Sequence, residues 1–123
     1  KTLLQSVILC ENSDDLPVLV QKQRSAFPPN YVHSLDSTHM FKTAKKCYDS
    51  GIAFAAVHDS FWTHASTVDE MNLHLRNAFV ELHSRPLLEE LREHIVKLHP
   101  TIELTPYPER GPLNIKEVLN SRY

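Results

Sequence analysis

Residues Thr2 to Cys10 (TLLQSVILC) are dense in apolar and β-branched side chains and give way to the polar cluster Glu11 to Asp15, which predicts a strand and its exit turn. From Asp14 to Asn30 no period is sustained, and the pair Pro28-Pro29 predicts a loop with an extended entry to the next element. Between Ser34 and Ser50 the pattern becomes helical, with Leu35, Met40, Ala44 and Cys47 forming an apolar stripe, and Gly51 stands where a helix end wants a left-handed residue. Two short runs come next, Ile52 to Val57 (IAFAAV) and Phe61 to Ala65 (FWTHA). They predict a β-hairpin with His58, Asp59 and Ser60 at or near its tip, Asp59 at the surface of a cleft, and Val57 and Phe61 turned into the protein body. Thr67 and Glu70 have the spacing of a capping box, after which Met71, Leu75, Ala78, Phe79 and Leu82 recur at helical spacing. A further helix is predicted after Ser84, with Pro86 near its first turn, Leu88, Leu91, Ile95 and Leu98 on one face, and Pro100 as its stop. Thr101 to Pro112 reads as an extended, proline-rich tail, and Asn114 with Glu117 as the start of a last short helix. The fold class implied is α+β: a hairpin and one additional strand backed by several helices.

Composition narrows the function classes. The chain has 123 residues, 41% of them hydrophobic, enough for one core, and residues 1–123 are read as one domain. Its longest apolar run is far shorter than the ~20 residues that span a bilayer, so no membrane association is expected. Only two glycines, Gly51 and Gly111, are present, which excludes a Gly-rich phosphate loop. A net charge of −2 is unlike that of a free-standing nucleic-acid binder, so positive charge for such a partner would come from other parts of a larger protein. The start at Lys1 directly into an apparent strand is the pattern of a piece cut from a longer polypeptide. Cys10 and Cys47 are far apart and read as reduced thiols.

Three clusters could carry chemistry. In VHDSFWTH (Val57 to His64) a carboxylate lies between histidine and serine at the end of apolar strands, a position from which oxygen ligands can hold a hard cation such as Mg²⁺; equally, Asp and Ser are common turn residues. In HSLDSTH, His33, Asp36 and His39 are three residues apart each time, so on a helix they could converge on one ligand or on a phosphate backbone; alternatively Ser34 or Asp36 is only a helix cap. Zinc held by His33, Asp36 and His39, or by His58 and His64, is a third possibility, although neither spacing is of the HExxH type. His74, His83, His94 and His99 read as solvated, as do Lys22, Arg24, Lys42, Lys45 and Lys46.

The stretches AFPPNYVHSLDSTHM (Ala26 to Met40) and VHDSFWTHA (Val57 to Ala65), with the terminal PERGPLNIKEVLNSRY (Pro108 to Tyr123), resemble in collinear order the C-terminal part of the single-subunit, phage-type DNA-directed RNA polymerases, most closely the mitochondrial branch. The resemblance implies a palm fragment of an organellar polymerase, mitochondrial or, alternatively, plastid. Its partners would be a DNA template, nucleoside triphosphates, the RNA product, mitochondrial transcription factors and the rest of the polymerase chain. Carried over residue by residue, Asp59 is one of two carboxylates that hold catalytic Mg²⁺, and His58 lies near the 3′ end of the transcript. His33, with Ser34 and Asp36, lies against the nucleic-acid hybrid. Ser60 stands where related DNA polymerases usually carry a glutamate, which favours RNA synthesis. The second metal-binding aspartate, the nucleotide-gripping fingers helix and a few C-terminal residues of the family have no counterpart here, so the chain alone is expected to be inactive. Two-metal transfer needs carboxylates that flank both ions, and a tight hairpin is a stiff mount for one of them. The rivals are a non-catalytic scaffold of the same fold, a histidine-based metallohydrolase, and a family A-like DNA polymerase fragment.

Overall fold

The computed structural model describes residues 17–121, and the predicted strand Thr2 to Cys10 lies outside them. The order of elements is α1 (Val20–Asp49), β1 (Ala55–Val57), β2 (Ser60–Trp62), a 3₁₀ turn (Ala65–Thr67), α2 (Val68–His83), α3 (Leu87–Leu98) and a last 3₁₀ helix (Ile115–Asn120). Helices with one small antiparallel sheet make the α+β class expected from the pattern.

Helix α1 begins well before Ser34, in the stretch expected to be a loop, and carries Pro28 and Pro29 inside it. Proline's fixed φ lies in the helical range, and Gln21, Lys22, Gln23, Arg24 and Ala26 are good helix formers, so the helix runs through the two prolines although each removes an amide donor and crowds the turn before it. Ser34 is thereby mid-helix and no cap; its hydroxyl donates to the Tyr31 carbonyl at 2.6 Å. Little packing supports residues 20–30, all of which are exposed. The nearest anchor is Tyr31, which stacks on Phe27 at 6.2 Å and donates its hydroxyl to the Leu87 carbonyl at 3.0 Å. Since an interior proline costs ~3 kcal/mol of helix stability, replacing both by alanine should slow amide exchange over residues 20–27 more than about tenfold, as read by hydrogen–deuterium exchange.

At its other end α1 closes as the sequence predicts. Gly51 takes φ +72°, its amide donates to the Tyr48 carbonyl at 3.0 Å, and the Ile52 amide donates to the Cys47 carbonyl at 2.8 Å. This double closure satisfies two end carbonyls and folds Ile52 back onto Cys47, where both join Met71 in a buried cluster. Phe54 and Phe61 pack against that cluster, so the chain leaving α1 delivers the hairpin directly to the α1–α2 seam.

The predicted face of α2 is the observed one: Met71, Ala78 and Leu82 are buried and share a side of the helix. The expected capping box is absent. Thr67 makes no side-chain bond to the amides of α2; it donates instead to the His64 carbonyl, because a 3₁₀ turn, not an open strand end, precedes the helix. Pro86 is the residue before α3, which ends ahead of Pro100, and the tail through Pro112 has no regular structure. Asn114 caps the final 3₁₀ helix, its side-chain oxygen accepting from the Lys116 amide at 3.2 Å. No described helix is long and apolar enough to cross a membrane.

Candidate active site

The hairpin is shorter and tighter than its apolar runs imply. Ala55 pairs with Trp62, Ala56 with Phe61 and Val57 with Ser60, leaving His58 and Asp59 alone in the turn. Ser60 therefore belongs to the strand. His58 takes φ +55°, the left-handed conformation that two-residue hairpin turns demand and that histidine tolerates better than most residues. Asp59 is exposed in this turn, with no side-chain hydrogen bond or ion pair among the described residues.

Alternation then decides what each strand residue does. Ala56 and Phe61 face the helices, whereas Val57, expected to point inward, is 55% exposed, as is Trp62 at 52%. Val57 pairs with Ser60 and so lies on the face opposite Phe61, an offset set by the two-residue turn. Phe61 meets Phe54 at 5.5 Å and the His39 ring at 6.2 Å. At the hairpin base the Thr63 hydroxyl donates to the Ala53 carbonyl at 2.6 Å and lies 2.8 Å from the Thr67 hydroxyl. This close approach of the two hydroxyls ties the hairpin to the start of α2. Behind the hairpin, Ala53, Phe54, Ala55, Trp62, Thr63 and His64 line a shallow groove of about 250 Å³ that Asp59 does not reach.

His33, Asp36 and His39 do not converge. Each step of three residues turns about −60° around a helix, so His33 and Asp36 stay exposed on α1 while His39 turns toward α2, its Nε2 2.9 Å from the Leu75 carbonyl. Among the described residues no three His, Cys, Asp or Glu side chains gather at one point, which leaves the zinc arrangement of His33, Asp36 and His39 without a site there. Asp59 can offer one carboxylate to a hard cation, with the remaining ligands coming from elsewhere.

The histidines of α2 are less solvated than their spacing implies. The His74 Nε2 lies 2.9 Å from the Ser50 hydroxyl, and His83 packs 4.3 Å from the Phe79 ring. Burial, with His39 nearby, pushes the His83 pKa below its usual 6.5, while Asp36 pulls it back. The unfolded chain accordingly takes up this proton first as pH drops below 6.5, and the stability His83 contributes is lost until the folded form binds the proton too. His83→Gln should flatten the pH dependence of the denaturation midpoint across that interval. Glu81 accepts from Lys42 and lies 3.2 Å from Lys46, and these bonds hold its carboxyl below the usual range. This exposed cluster screens readily and joins α1 to α2 without chemistry of its own. Burial raises the Cys47 thiol, so it stays protonated in the core.

Comparison with known proteins decides the lineage. Residues 1–102 match the family model of DNA-dependent RNA polymerase, which is most of the chain. The chain belongs to that family. All 123 residues align at 54% identity with DNA-directed RNA polymerase 3B, chloroplastic, of Nicotiana tabacum, and at 51% with DNA-directed RNA polymerase 2, chloroplastic/mitochondrial, of Arabidopsis thaliana, spanning 12% of each relative. They also align at 52% with DNA-directed RNA polymerase 1A of N. tabacum, of which the chain spans 78%. Within this chain, the family match covers α1, the hairpin, α2 and α3, and stops short of the final 3₁₀ helix.

Proposed function

We propose that this chain is the C-terminal palm portion of a single-subunit organellar RNA polymerase, with Asp59 one of the carboxylates that hold catalytic Mg²⁺. One observation carries the reading: in a member of this family, a bare carboxylate stands on a two-residue turn whose strands are pinned to two helices. A ligand so mounted keeps its position as charge develops, which is what electrostatic catalysis requires. When bound, Mg²⁺ supplies activation of the 3′ hydroxyl and neutralisation of the leaving pyrophosphate.

The residues of this chain have separate tasks. Asp59 brings negative charge to the reacting end of the transcript, and His58, beside it in the turn, lies within reach of the same end. His33, Ser34 and Asp36 on the exposed side of α1 contact the hybrid of DNA template and RNA product. The second metal-binding carboxylate, the grip on the nucleoside triphosphate and most of the positive charge toward DNA come from the rest of the polymerase, as do contacts with mitochondrial transcription factors. The organelle is the mitochondrion, with the plastid the alternative that the relatives' names also carry. Ser60 favours RNA over DNA as the product. In a primer-extension assay with the full polymerase, ribonucleotides should be incorporated in preference to deoxyribonucleotides. A preference for deoxyribonucleotides would move the chain to DNA synthesis, and no templated addition with either would leave the scaffold reading.

A further inference from the structure

We propose that His39 is a positioning residue for the hairpin, setting Asp59 through Phe61; the inference rests on the assignment of Asp59 as a metal-holding carboxylate. His39 is the point where three elements meet. Its Nε2 lies 2.9 Å from the Leu75 carbonyl on α2, and since a carbonyl only accepts, that nitrogen carries the proton and the ring is fixed in one tautomer. So fixed, the ring stands edge-on to Phe79 of α2 at 5.4 Å and to Phe61 of β2 at 6.2 Å. Its own backbone is held as well, because the buried Thr43 hydroxyl donates to the His39 carbonyl at 2.9 Å.

The hairpin depends on such support. Strands of three residues in a two-stranded sheet are marginal in isolation, and only the face bearing Ala56 and Phe61 meets the helices. Phe61 is seated between Phe54 and His39, and it comes two residues after Asp59. Loosening the imidazole frees one side of that seat and lets the turn shift relative to α1 and α2. Misplacement of a catalytic group by ~1 Å can cost ~100-fold in rate.

Single-turnover nucleotide addition by the full polymerase on a preassembled primer and template tests this, with rate constant and amplitude read separately. His39→Leu keeps apolar bulk but removes the donor, and it should lower the rate constant by about tenfold at unchanged amplitude. His39→Gln places an amide nitrogen the same number of bonds from Cα and should restore the rate constant to within about threefold of the parent. Phe61→Leu added to His39→Leu should lower the rate by less than the product of the two single effects, since both act on one contact. A loss confined to amplitude, equal loss in the Leu and Gln variants, or multiplicative effects would overturn the proposal. Asp59→Asn is run in parallel. If it is defective while His39→Leu matches the parent, only the positioning role falls; if it matches the parent, the assignment of Asp59 falls first.

Discussion

Asp59→Asn should lower nucleotide addition by the intact polymerase by roughly a hundredfold or more while leaving promoter DNA binding nearly unchanged. The substitution keeps the size of the side chain and its ability to accept a hydrogen bond, and it removes the negative charge. Because Asp59 is exposed and bonds to nothing among the described residues, the hairpin loses no contact and should survive. Removing one well-placed electrostatic group from a transition state costs ~2.7–4 kcal/mol, and a direct cation ligand should cost at least that much. Addition on a preassembled primer and template, measured beside DNA binding by the same variant, separates the outcomes. Near-normal addition would withdraw the catalytic role and promote the scaffold reading, whereas equal loss of both activities would mean misfolding.

Leu82→Ala is expected to be the most damaging change away from the turn. Leu82 is 1% exposed, on the side of α2 that also buries Met71 and the fully buried Ala78. Truncating a packed leucine costs ~2–5 kcal/mol, toward the upper end where neighbours cannot collapse into the space. Ala78, one turn away, has no spare atoms with which to fill it. Amide exchange along α2 should accelerate accordingly, while Leu82→Met, which conserves volume, should stay within ~1.5 kcal/mol of the parent.

Much of the frame is legible in the sequence. Gly51 marks the end of α1, the 71-78-82 spacing marks the inner face of α2, and two apolar runs around His58 and Asp59 mark the hairpin. The features that escape have identifiable causes. Pro28 and Pro29 disguise a helix because proline's fixed φ suits both an extended entry and a helix interior, and sequence period cannot choose between them where no side chain is buried. Thr67 has the spacing of a cap, but its hydroxyl is claimed by the 3₁₀ turn. Val57 lies on the face opposite to the expected one because the turn holds two residues, not three, and a difference of one residue exchanges the faces of a strand. His39 has the spacing of a partner for His33 and Asp36, and only the placement of α2 shows that its ring is spoken for by the Leu75 carbonyl and by Phe61. The residues to which a catalytic role is assigned, by contrast, come from the resemblance of two long motifs, because an exposed aspartate in a turn has no local signature that separates it from an ordinary one.

The two-residue turn also governs which length changes a gene encoding this chain can accept. Inserting or deleting a single codon between Val57 and Ser60 forces either a new loop geometry or a shift in pairing, and a shifted β2 would carry Phe61 out to solvent and Trp62 onto the helices. The same one-codon change between Thr101 and Pro112, where the backbone has no regular pattern, disturbs no ladder. In-frame insertions and deletions should therefore be purged around the turn and tolerated in the tail, so a library of one-residue indels selected for transcription would map the mount of Asp59 as a short, sharply bounded gap in survivors.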